Sequence, residues 1–148
     1  MNVIDSFPTL DYEYGPYYKG SEAEQAKESY RQFSFDEYAS HSVPFGRDIA
    51  DIRSNECKLK TYDASQLPAT TVIITFVEES WSTLMRTIHS VIKQTPPNLL
   101  AGIVLVDDSS KAPWLGEPLE AEIKKSFPSF VKLIRTPKRV GVVHCKFC

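Results

Sequence analysis

The sequence has no apolar run long enough to cross a bilayer. Its longest, Leu99–Val106, falls far short of the ~20 residues that a spanning helix needs, and no basic-then-apolar signal pattern opens the chain. Cysteine is scarce: Cys57, Cys145 and Cys148 are too few for a disulfide framework, and the odd number leaves at least one without an internal partner. Charge of one sign is lacking as well. With 17 basic and 19 acidic side chains the formal net charge is -2, so no general field draws phosphate backbones or anionic lipid, and nucleic acid is not an expected partner. Neither Gly-x-Gly-x-x-Gly nor a phosphate-loop Gly-Lys-Ser/Thr occurs, which disfavours the usual dinucleotide and nucleoside-triphosphate sites. A nucleophilic triad has no support. Cys145-Lys146-Phe147-Cys148 has a C-x-x-C spacing but no second ligand pair to complete a zinc site.

What is present argues for one soluble globular domain. Apolar residues make up 42% of the 148 and charged residues 24%, and a chain of this length buries roughly 70% of its unfolded surface. Met1 to Gly20 is rich in Tyr, Pro and Gly without a period and reads as an extended arm that can lie on a surface through Tyr12, Tyr14, Tyr17 and Tyr18. Ser21 followed by Glu24 has capping-box spacing, and Ala23, Ala26, Tyr30 and Phe33 recur on one helical face, predicting a helix over 21–33. From Ser34 to Pro68 the pattern is irregular and predicts a wrapping segment with little regular structure. The expected division is therefore 1–68, an arm with a short helix and a wrapping segment, and 69–148, an α/β half-domain.

The second part carries the stronger signals. Thr71–Phe76 (TVIITF) is a short β-branched run, predicting a parallel strand covered on both faces. Trp81, Leu84, Met85, Ile88, Val91 and Ile92 then share one helical face until Pro96 and Pro97 stop it. Gly102–Val106 predicts a second buried strand, Pro118–Phe127 a second helix with Leu119, Ile123 and Phe127 inward, and Val131–Arg135 a third strand. The order β-α-β-α-β is half of an open, Rossmann-like parallel sheet with flanking helices.

Ligands of such sheets bind beyond the carboxyl ends of the strands. Those positions hold Thr75 to Glu79, Asp107 to Ser110 and Thr136 to Gly141. The first set offers a hydroxyl, a ring and two carboxylates to a base and its sugar. Asp107 and Asp108 can accept from ribose hydroxyls or approach a divalent metal on a diphosphate. Lys138 and Arg139 can neutralise phosphate, Arg139 bidentately. The same residues also serve as ordinary turn formers, helix caps and a solvated basic turn. His41 and His89 read as structural, His89 on the polar side of its helix.

The runs TTVIITFVEESWSTLMRTIHSVIKQTPP, IVLVDDSS and IRTPKRVG, in this order, resemble the opening of the catalytic domain of polypeptide N-acetylgalactosaminyltransferases, with the similarity extending from about Tyr14 to Val143. The resemblance implies a partial GT-A α/β fold that binds UDP-N-acetylgalactosamine (UDP-GalNAc) and Mn2+. It further implies retaining transfer of the sugar to Ser or Thr of a polypeptide acceptor, the mucin-type O-glycosylation of the Golgi. It also assigns Thr75 and Phe76 to the uridine, Asp108 to the nucleotide and Arg139 to UDP, with Glu79 and Asp107 as further nucleotide-binding candidates. Cys57 matches a cysteine whose disulfide partner in that family is absent from these residues.

The sequence also departs from the family. Phe76-Val77-Glu78-Glu79 stands where the family usually reads Phe-His-Asn-Glu, and Val142-Val143-His144-Cys145-Lys146 replaces an arginine-rich helix start. No Asp-x-His, the family's metal-binding pair, occurs in the 148 residues, and a cation that neutralises the leaving diphosphate is central to this chemistry. The chain is therefore expected to be the front part of such a domain, incomplete and inactive by itself, with Mn2+ not held by these residues alone. Two other readings stand beside it: a non-catalytic UDP-binding or regulatory module, and a receiver-like phosphoacceptor domain built on the acidic pair Asp107-Asp108.

Overall fold

The computed structural model describes residues 18–48 and 50–141. Most of the expected arm, with Tyr12, Tyr14 and Tyr17, lies outside the described residues, as do Cys145 and Cys148. The chain divides into two compact units between Ser42 and Val43. No helix among the described residues is long and apolar enough to cross a membrane.

The first unit contains α1 (Ser21–Phe33) and α2 (Glu37–Ser42). Helix α1 begins where the pattern predicts, but not by a capping box: Gly20, at φ 60°, takes the N-cap position and no side chain caps the turn. Glycine adopts this left-handed angle without strain, which sets Ser21 inside the helix. Glu22 and Glu24 in the first turn and Arg31 in the last suit the helix dipole. Ser34 closes the far end in the left-handed region, donating its amide to the Tyr30 carbonyl. Ala26 is buried, and the rings of Tyr18 and Tyr38 meet edge to face at 5.5 Å.

The second unit opens with a segment that is more ordered than its irregular sequence suggests. Lys93 holds the Gly46 carbonyl and Asp48, Arg86 reaches the Val43 carbonyl, and Phe45 stacks on His89 at 5.5 Å. His89 also meets Phe127 at 4.9 Å, so it packs between aromatic rings rather than on a polar side. A short helix α3 (Asn55–Lys58) and a 3-10 turn (Ala64–Gln66) follow, nucleated by Ser54 and Asp63, whose side chains accept backbone amides. Such single turns leave no hydrophobic period, so pattern reading does not find them.

The core of this unit is built by β1 (Thr70–Phe76), α4 (Trp81–Gln94), β2 (Leu100–Asp107), α5 (Glu117–Ser126) and β3 (Val131–Arg135). The sheet is parallel in the order β1-β2-β3. Ser80 starts α4 by accepting the Thr83 amide, and Pro118 is tolerated in the first turn of α5, where its missing N–H has no helical partner.

Because the strand order advances steadily, right-handed crossovers put α4 and α5 on the same side of the sheet. Phe76, Ile103, Leu105 and Val131 face that side and pack with Leu84, Met85, Ile88, Leu119 and Ile123. The alternate positions face the other way, and Ile73 is 48% and Ile134 42% exposed. The expectation of a first strand covered on both faces is therefore corrected: among the described residues, β1 pairs only with β2 and is covered on one face. If packing is one-sided, Ile103→Ala costs about 2–5 kcal/mol, whereas Ile73→Thr changes stability by no more than about 0.5 kcal/mol. Urea denaturation of the two variants measures both.

Candidate site at the strand ends

Phe76, Asp107 and Arg135 are register partners across the last row of the sheet. The three loops that follow them therefore leave the sheet side by side, and each is fixed by side chains of the others.

Asp108, buried at the end of β2, ties two strand ends to its own. Its amide donates to the Phe76 carbonyl at 2.9 Å. Its carboxylate accepts the amides of Val140 at 2.7 Å and Gly141 at 2.8 Å, and the Thr136 hydroxyl at 3.1 Å. Gly141 sits at φ 85°, an angle that favours glycine and that turns its amide toward the carboxylate. This folds the segment carrying Lys138 and Arg139 back over the sheet edge. Arg139 itself is exposed and makes no hydrogen bond to a described residue.

Asp107 has no exposed surface. Its carboxylate pairs with Arg135 and accepts the Ser110 amide at 2.9 Å. Arg135 also donates to the carbonyls of Leu115 at 2.6 Å and Gly116 at 3.1 Å and to Glu120 at 3.3 Å. The pair therefore fixes the far end of the loop between β2 and α5.

The near end is fixed from β1. Glu78 donates its amide to the Ser110 hydroxyl at 3.0 Å, and its carboxylate accepts the amides of Lys111 at 2.7 Å and Ala112 at 3.0 Å. Glu79 accepts from the Ser80 amide and the Thr83 hydroxyl, completing the start of α4, while its carbonyl receives the Trp114 indole N–H at 2.9 Å.

Of the residues named from the sequence, Thr75, Asp108 and Arg139 thus belong to neighbouring strand ends. Thr75 is half-buried and opposite Val106, on the face away from the helices. Phe76 turns inward: its ring is 6% exposed and packs in the core, so it offers a ligand no stacking surface. Asp107 and Glu79 have internal partners. Arg135 and Trp114 lie outside the strand-end sets named from the sequence, and Ser110 and Thr136 are named there only as members of those sets. Arg135 was detectable in principle, since it ends a parallel strand in the same row as an Asp that a central buried strand cannot leave unpaired.

Residues 70–143, half of the chain, match the sequence family Glycosyl transferase family 2. The chain belongs to this family. It is 42% identical over 134 residues to polypeptide N-acetylgalactosaminyltransferase 10 of Mus musculus, covering 90% of this chain and 22% of that relative. It is 41% identical over 127 residues to probable N-acetylgalactosaminyltransferase 9 of Caenorhabditis elegans, covering 86% and 22%. Its fold matches the crystal structure of GalNAc-T7 with UDP, GalNAc and Mn2+ at a TM-score of 0.81 and 38% identity, over 88% of this chain and 24% of that one. The chain thus spans between a fifth and a quarter of the length of these relatives, and its three-stranded sheet corresponds to part of a GT-A domain.

The described residues of this glycosyl transferase family 2 chain do not make a complete site for a divalent cation. No three His, Cys, Asp or Glu side chains converge among them, and the carboxylate of Asp107 is committed to Arg135 and the Ser110 amide.

Removing Arg135 strands the buried Asp107 carboxylate. Arg135→Met is expected to cost about 3–5 kcal/mol, and adding Asp107→Asn to recover part of it, because breaking a buried pair costs more than replacing it. Thermal or urea unfolding of both variants checks the order.

Proposed function

We propose that this chain is the nucleotide-binding part of a UDP-GalNAc:polypeptide N-acetylgalactosaminyltransferase. UDP would sit at the strand ends between Thr75, Asp108 and Arg139. Supporting this reading are the names of the relatives at 41–42% identity and the UDP, GalNAc and Mn2+ in the GalNAc-T7 crystal structure. In the whole protein the acceptor would be a Ser- or Thr-bearing polypeptide, and the process mucin-type O-glycosylation in the Golgi.

The observation that carries the reading is the bridge from Asp108 to the amides of Val140 and Gly141. It draws an exposed guanidinium to the carboxyl edge of a parallel sheet, where open α/β sheets bind their ligands. Arg139 is the group for the diphosphate, by bidentate charge-assisted hydrogen bonds. Thr75 offers its hydroxyl to the uridine, while the Phe76 ring supports from within the core. Asp108 acts chiefly by holding the loop, and a ribose hydroxyl would share its oxygens. Asp107 and Glu79 support the site without touching the nucleotide.

The receiver-like alternative loses its support, since its acidic pair must be open to a cation and Asp107 is fully buried against Arg135. The binding-module reading differs from our proposal only in whether transfer follows. The sequence contains no Asp-x-His, so these residues by themselves are expected to bind UDP without transferring sugar.

Calorimetric titration with UDP tests this. The chain binds UDP, and Arg139→Ala weakens binding by about tenfold or more, as expected for a charge-assisted hydrogen bond worth about 1.5–3 kcal/mol. With UDP-GalNAc, Mn2+ and a Thr-rich peptide no sugar is transferred. Unchanged binding in the variant contradicts the site assignment, and measurable transfer contradicts the expectation that these residues are inactive by themselves.

A further inference from the structure

We propose that Glu78 is a positioning residue that latches the loop between β2 and α5 against the end of β1, holding the Asp107-Asp108 turn in its nucleotide-binding form. The inference rests on the UDP site proposed above and adds to it a residue that touches no ligand.

Glu78 sits at φ 48°, a left-handed backbone angle that is uncommon for a residue with a long side chain and carries a strain energy. Something must hold it there. Its amide and both carboxylate oxygens are all engaged, and all with residues more than thirty positions away: the Ser110 hydroxyl, the Lys111 amide and the Ala112 amide. A second left-handed residue, Ser109 at φ 60°, immediately precedes the segment so held, and its amide turns back to the Asp107 carbonyl at 2.9 Å. The two left-handed positions thus follow the ends of neighbouring strands, at the rim where the ligand would bind. Strain that persists against such a cost is a mark of a pre-organised site.

The chemistry of the side chain fits this task. Two adjacent backbone N–H groups need two acceptors at one point, which a carboxylate supplies and a carboxamide does not, because its NH2 would face one of the donors. The length of Glu lets the carboxylate cross from the end of β1 to the neighbouring loop. Its departure from the resembled Phe-His-Asn-Glu pattern therefore exchanges an amide for a two-point acceptor. The carboxylate is consumed by these amides, which is why Glu78 positions the loop rather than binding nucleotide.

The test separates the latch from the strain and from the UDP reading. In Glu78→Gly the backbone angle becomes relaxed while the carboxylate is lost; in Glu78→Gln one acceptor remains. Amide hydrogen exchange of the ligand-free protein, urea midpoints and UDP titrations are measured for both variants and the parent. The latch predicts that Glu78→Gly, which loses the two carboxylate hydrogen bonds together with the strain, does not raise the urea midpoint, releases protection of Lys111 and Ala112 and weakens UDP on the order of tenfold. It predicts that Glu78→Gln is intermediate in both protection and affinity. Protection and UDP affinity both unchanged in Glu78→Gly would overturn the proposal. Protection lost with affinity retained would also overturn it, leaving Glu78 a structural residue only. Should the parent bind no UDP, the nucleotide reading fails, whereas the latch still stands or falls on the exchange of Lys111 and Ala112.

Discussion

A carboxylate at the end of a central buried strand has to be neutralised, and much of the architecture around the strand ends follows from how this is done. Asp107 has no exposed surface and its partner Arg135 comes from the neighbouring strand in the same row. Such a pair gives little net stability, because desolvating two charges cancels most of their attraction. Its effect is geometric. The remaining donors of Arg135 hold the carbonyls of Leu115 and Gly116, so the entrance of α5 is pinned to the ends of β2 and β3.

Around this pair, three carboxylates divide the work of shaping the rim. Asp108 gathers the segment that ends in Gly141, Glu78 gathers the segment from Ser110 to Ala112, and Glu79 completes the start of α4. Each accepts from donors that the strand ends would otherwise leave unpaired, and a burial without partners would be costly. The acidic residues at the rim are therefore chiefly builders. On the segment that Asp108 gathers, the exposed Lys138 and Arg139 are basic, the charge that our proposal matches to the diphosphate of a nucleotide sugar.

The regular elements were legible from sequence because the signals there are redundant. β3 coincides with the predicted strand, and α4 runs from a residue after Ser80 to just short of Pro96, as the periodicity and the prolines indicate. The face of β1 was misread: TVIITF has the composition of a strand covered twice, and composition does not reveal that both helices lie on one side. The same alternation turned the Phe76 ring into the core. At the site, the clustering of Thr75, Asp108 and Arg139 at neighbouring strand ends followed from topology alone. The roles of Arg135 and Glu78 did not, because both depend on contacts between residues about thirty positions apart. The resemblance to the N-acetylgalactosaminyltransferases supplied the ligand class, which no spacing in the chain specifies.

One measurement bears most directly on the claim that the strand ends form a pocket for uridine diphosphate. Backbone amide spectra recorded during a titration with UDP report where the ligand sits. A second basic surface provides the contrast, the groove of about 330 Å3 lined by Arg47, Arg86 and Lys93 on the outer side of α4. The account predicts that the largest shifts fall on Thr75, Asp108, Val140 and Gly141, with little change along α4. Shifts confined to the groove around Arg47 and Lys93, with those four amides unmoved, would contradict it.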